Sequence, residues 1–162
     1  SLFSAQLAAQ MGLPYAFASH FAPAELERAL AIYRSSFQPS KRLSEPWVML
    51  GYNAFAADTD EEARDLFTSV QQAFVNLRTG RAGKLPPPRP GYAEALDAGA
   101  RSMIDQALSC SAVGSPETVK AQLNAFIERH RPDELMVTSQ IFDHVARVKS
   151  YEILAEAAGQ DR

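Results

Sequence analysis

Residues 47–57 read WVMLGYNAFAA, a run that is apolar almost throughout and is broken only by the polar groups of Tyr52 and Asn53. A strand with one wet face alternates apolar and polar residues, whereas a strand covered on both faces does not. This stretch therefore predicts a buried strand of a parallel sheet. Residues 15–19 (YAFAS) and 134–139 (ELMVTS) share the character and are expected beside it.

The segments between these strands are long enough for helical crossovers. Over 24–37, Leu26, Leu30, Tyr33 and Phe37 fall on one stripe at helical spacing. Over 59–79 the start Thr59-Asp60-Glu61-Glu62 has the form of a capping box, the apolar side carries Leu66, Phe67, Val70, Phe74 and Leu77, and Gly80 is placed for a left-handed stop. RAGKLPPPRPGY follows, and its prolines forbid regular hydrogen bonding, so a surface excursion is expected. A helix is predicted over about 93–109. Another starts at Ser115 as cap with Pro116 in the first turn, and carries Val119, Leu123, Phe126 and Ile127 on its buried stripe, with His130 and Arg131 at its negative end. The last spans 142–158, closed by Gly159. Strands alternating with helices define α/β units with right-handed crossovers in a single domain.

The composition bounds the function. The chain has 162 residues, 46% apolar and 22% charged, so it can bury a sizeable core. A net charge of −3 without a dense basic cluster argues against nucleic acid as the main partner. No apolar run is long enough for a membrane span and no signal peptide is visible, so the cytoplasm is the expected compartment. Cys110 is the single cysteine and reads as a small buried thiol.

Three groups could carry chemistry. Ser1-Leu2-Phe3-Ser4 opens a helix, where unpaired amides, a positive dipole end and two hydroxyls three positions apart can surround a phosphate; plain helix capping by Ser1 is the competing explanation. Ala18-Ser19-His20 ends the first strand, on the side where parallel α/β proteins bind ligands. Tyr52 and Asn53 are polar groups in an apolar strand and need partners, from a ligand or from backbone. Asp143-His144 reads as a helix cap. No dinucleotide fingerprint, P-loop, HExxH or serine elbow is present.

The segment SLFSAQLAAQMGLPYAFASHFAP resembles the middle of bacterial luciferase-like flavin monooxygenases, in the alkanal monooxygenase-like subgroup. AADTDEEARDLFTSVQQAF, VGSPETVKAQLNAFIERHRPDELMV and FDHVARVKSYEIL look like the same subgroup in the same order. The resemblance implies a (β/α)8 TIM barrel that uses reduced FMN and O2 to oxidise an aldehyde or another small organic substrate. A relative of the same barrel using the deazaflavin F420 is the alternative within the enzyme class, and a non-catalytic flavin-binding or structural fragment is the alternative outside it. A flavin reductase as supplier and a homodimer as assembly are further implied.

By the same resemblance Ser1, Leu2 and Ser4 match the phosphate-holding turn after the fifth barrel strand. Ala18 and Ser19 match the end of the sixth strand near the flavin ring, with His20 and Tyr52 assigned to the substrate pocket. Only strands matching the sixth to eighth positions are recognised, against a barrel that needs roughly 200 residues or more. The expectation is therefore a partial barrel, the C-terminal portion of a larger product lacking its first five strands.

Overall fold

The computed structural model describes residues 1–159. Its elements are, in order, α1 (Leu2–Gln10), β1 (Tyr15–Phe17), a short 3-10 turn (Pro23–Glu25), α2 (Leu26–Ser36), β2 (Val48–Ala56), α3 (Asp60–Arg78), α4 (Ala98–Ala107), β3 (Ser111–Gly114), α5 (Pro116–His130), β4 (Glu134–Thr138) and α6 (His144–Gly159). All strand pairs are parallel and all involve β2.

The register locates each neighbour. Met49 pairs with Ala16 of β1 and with Glu134 of β4, so these two strands take opposite edges of β2. Asn53 pairs with Ser111 of β3 and with Thr138 of β4, so β3 lies on the same edge as β1, further toward the carboxyl end. The expected three-strand set gains β3 as a fourth member. Its four residues, SAVG, are too few to show a period, and they are held because β1 stops early and leaves that edge of β2 free.

Successive side chains of β2 point to opposite faces. Val48, Leu50, Tyr52, Ala54 and Ala56 enter one core with Tyr15, Leu30, Tyr33 and Phe126, beneath α1, α2, α5 and α6. Phe55 enters a second core with Val70, Ile104, Leu108 and Ile141, beneath α3 and α4. Both faces are thus covered toward the carboxyl end, which accounts for the continuous burial from Leu50 to Ala56, whereas β4 has no fully buried residue and β1 leaves Ala16 exposed, so neither has the two-sided cover expected of it. Toward the amino end the second face is open, and Met136 is 54% exposed.

Local rules explain most helix boundaries. Thr59 accepts from the Glu62 amide at 3.2 Å, which is one half of the expected capping box, and Gly80 takes φ 73°. Ser115 caps α5, and its own amide donates to Asp60 Oδ1 at 2.7 Å, tying α5 to α3. The Asp143 carboxylate caps α6 through the Ala146 amide at 2.8 Å. Three details differ from expectation. Asp97 caps the Ala100 amide at 2.9 Å, so α4 begins five residues later than the predicted start at 93. Ile127 and Leu77 are exposed rather than on buried stripes. The helix runs through Gly159 rather than closing before it. The proline segment carries no regular structure, and its backbone is fastened to α3 by Gln72 on the Pro87 carbonyl and by the Arg89 amide on Thr68.

Candidate functional site at the strand tips

The carboxyl ends of the strands gather a small polar network around Asn53, itself 1% exposed. Its Nδ2 donates to the His20 carbonyl at 2.9 Å and to Ser111 Oγ at 3.3 Å, and its Oδ1 accepts from Thr138 Oγ1 at 2.9 Å. One side chain therefore links the turn after β1 to β3 and to β4. Buried amides are costly unless bonded, and this one is satisfied on both ends.

His20 lies within a tight turn in which the Phe21 and Ala22 amides both donate to the Ala18 carbonyl at 3.0 Å. With Asn53 it lines a cleft of about 150 Å³ whose other walls include Phe21, Val70, Phe74 and Leu108, with Gln140 as a further polar group. Burial lowers the His20 pKa below the ordinary value, so the ring is neutral at physiological pH. A larger groove of about 720 Å³ between the 3-10 turn and α4, lined by residues such as Pro23 and Arg101, carries none of these groups.

The residues singled out from the sequence fall into three places. Ser1 and Ser4 form a reciprocal cap on α1, with the Ser4 amide donating to Ser1 Oγ at 3.2 Å and Ser4 Oγ to the Ser1 carbonyl at 2.7 Å. Leu2 opens the helix between them, and Tyr15 Oη donates to the Ser1 carbonyl at 3.4 Å. Ala18 is exposed at the strand tips and His20 half-buried beside it, but Ser19 is fully buried and its hydroxyl donates a hydrogen bond to the Gly51 carbonyl at 2.6 Å.

Tyr52 stands apart from His20. It lies on the opposite face of β2 with its ring 4.3 Å from that of Phe126, and burial pushes its pKa up to about 12. The expected pairing of Tyr52 with His20 in one pocket is therefore not what the fold makes. Alternation along β2 sends Asn53, and not Tyr52, to the face that carries His20. Cys110 is buried in the same core as Tyr52, and its thiol is pushed up to about 11, which matches the reading of an inert core thiol.

Sequence reasoning passed over Gly51, Ser111 and Thr138 as site residues. A glycine in mid-strand is a signal for close approach of another group, and it was the one available for Gly51. Ser111 and Thr138 carry no such mark. Among the described residues no group of three or more His, Cys, Asp and Glu side chains could hold a metal ion, and no helix is long and apolar enough to cross a membrane.

A parallel α/β sheet with polar groups assembled at its strand tips defines a class of ligand-binding α/β proteins. Comparison with known sequences narrows the class: the family model for luciferase-like monooxygenases matches residues 1–132, and the chain belongs to that family. It is 50% identical over 153 residues to a luciferase-like monooxygenase of Escherichia coli K12, covering 94% of this chain and 46% of that protein. The crystal structure of apo-MsnO8 superposes with a TM-score of 0.79 at 30% identity, covering 98% of this chain and 48% of the other. The oxygenating constituent of 3,6-diketocamphane monooxygenase, a type II Baeyer-Villiger monooxygenase solved in complex with FMN, shares the fold with a TM-score of 0.59 at 21% identity, covering 95% and 44% of the two chains. The chain thus spans about half the length of the relatives it matches.

Proposed function

We propose that this chain supplies part of an FMN-dependent monooxygenase that oxidises an aldehyde or another small organic substrate with O2. The observation that carries the reading is the family match over residues 1–132, joined to the polar contacts that His20, Asn53 and Ser111 of the same segment make at the strand tips.

The residues present suit a flavin mononucleotide. The first turn of α1 combines a positive helix end with the Ser1 and Ser4 hydroxyls and the Leu2 amide, a donor set suited to the phosphate. Binding there exchanges the mutual Ser1–Ser4 bonds for charge-assisted ones, which are roughly twice as strong. The tip cleft, with apolar walls and the His20 imidazole in its lining, suits the edge of a ring system. In this reading Ala18 and His20 contact the ring or substrate, Ser19 secures β1 to β2 beneath them, and Tyr52 belongs to the core. Reduced flavin supplies the electrons, O2 the oxygen atom transferred to substrate. The chain's own contribution is to anchor the phosphate, orient the ring and exclude water from the tips.

We further propose that the chain is the C-terminal portion of a (β/α)8 barrel, its open sheet face being the one that further strands cover. The support is the coverage of about half of each relative together with the exposed Met136. Ser4→Ala in the full barrel is expected to weaken FMN binding about tenfold, by loss of one charge-assisted bond. Titration of flavin fluorescence reads this directly, and an unchanged affinity removes Ser4 from the phosphate site. The absorbance of co-purified cofactor separates FMN from F420.

A further inference from the structure

Gly51 lies in the middle of β2, and a neighbour fills the space its side chain would take. A Cβ built there would stand 1.8 Å from His20 Nδ1, 2.6 Å from Cε1 and 3.0 Å from Cγ. The imidazole therefore rests, Nδ1 edge first, on bare backbone. Both partners are fastened in that position: Ser19 Oγ donates to the Gly51 carbonyl at 2.6 Å, and Asn53 Nδ2 to the His20 carbonyl at 2.9 Å.

This seat has a chemical consequence. Nδ1 is buried and has no hydrogen-bond partner. A buried N–H without an acceptor is rarer and more costly than a lone pair without a donor, so a neutral ring held here keeps its proton on Nε2. Protonating the ring would place a second N–H against Gly51 with nothing to receive it. No other side chain lining the cleft is titratable or charged, so none offsets that cost. The lowered pKa of His20 has the direction this geometry requires.

We infer that Gly51 is a positioning residue that holds His20 as the neutral Nε2–H tautomer and so presents one hydrogen-bond donor to the cleft. The chemical partner of such a donor is an acceptor oxygen of carbonyl type, as on a flavin ring or an aldehyde. The tautomer is a property of the chain alone, and only its use toward flavin or substrate rests on the function proposed above.

Nitrogen-15 ring spectra of the ligand-free protein test it, and because no flavin is needed, failure of the flavin reading leaves the result intact. The chain has three histidines, and His20→Gln identifies the His20 signals by their loss. The expected pattern is a protonated Nε2 and an unprotonated Nδ1, titrating below the ordinary histidine range. Gly51→Ala should displace the ring, populate both tautomers and return the titration toward the ordinary value. Since the clashing atoms belong to a side chain that can rotate away, the variant is expected to fold. A proton on Nδ1 in the unmodified protein overturns the inference, whether or not the variant folds, and so does a Gly51→Ala spectrum in which the His20 signature is unchanged.

Discussion

His130 ends α5 as a residue only 6% exposed, its ring in contact with that of Phe126, centroids 4.4 Å apart. Burial dominates its electrostatics and lowers its pKa; Glu27, 3.6 Å from Nδ1, pulls the other way, while Arg129 and Arg34 reinforce the lowering. The linkage follows in sign. The unfolded chain takes up a proton as pH falls through about 6.5, the folded chain resists it, and stability is lost over that interval. His20 shifts in the same direction and adds to the effect. The midpoint of urea unfolding is therefore expected to fall between about pH 7.5 and pH 5.5, and His130→Gln to flatten the dependence. An identical slope in the variant would locate the titrating group elsewhere. At this scale the sequence was partly legible. His20 and Asn53 stood out as polar groups in apolar surroundings, but nothing in a linear pattern shows that an imidazole rests on Gly51, because those residues meet only when β1 pairs with β2.

At the scale of elements, β2 organises the molecule, since every other strand pairs with it and both cores share its side chains. Its apolar run was readable because two-sided burial leaves a compositional trace. The short β3 left none. Leu50 is fully buried in the larger core, so Leu50→Ala removes apolar burial and leaves a cavity, for an expected loss of about 2–5 kcal/mol in denaturant unfolding. A loss below about 1 kcal/mol would mean that the larger core is not packed through this strand. Caps were the other legible feature: Thr59, Ser115 and Asp143 each bond the amide three residues on, because capping is chemistry between near neighbours.

Over the whole molecule, the two faces of the sheet are unequally covered. α1, α2, α5 and α6 close one face, while the other is closed only at the carboxyl half by α3 and α4. Among the described residues β1 and β4 each pair on one side only, and α1 with its C-terminal cap shows Phe3, Leu7 and Met11 exposed at four-residue spacing. Unpaired edges and exposed apolar stripes recruit other chains. The 162-residue chain in isolation is accordingly expected to sediment as species heavier than its 17.7 kDa protomer, with Met136→Lys shifting the distribution toward that mass. A single sharp boundary at protomer mass before substitution would show that the open face is not adhesive.

The sequence alone decided much of the local order, though not burial in β4, which has no fully buried residue: that 47–57 holds a buried strand, that strands fall within 15–19 and 134–139, that α3, α5 and α6 begin at Thr59, Ser115 and Asp143, and that the sheet is parallel. Each of these depends on residues within a few positions of one another, or on composition that two-sided burial imposes. The tertiary structure alone decided that β3 takes the free half of an edge of β2, that Tyr52 turns away from the tips, and that Gly51 carries the His20 ring. Those outcomes depend on register between strands far apart in the chain, where a shift of one residue exchanges the faces, and no local pattern encodes that choice.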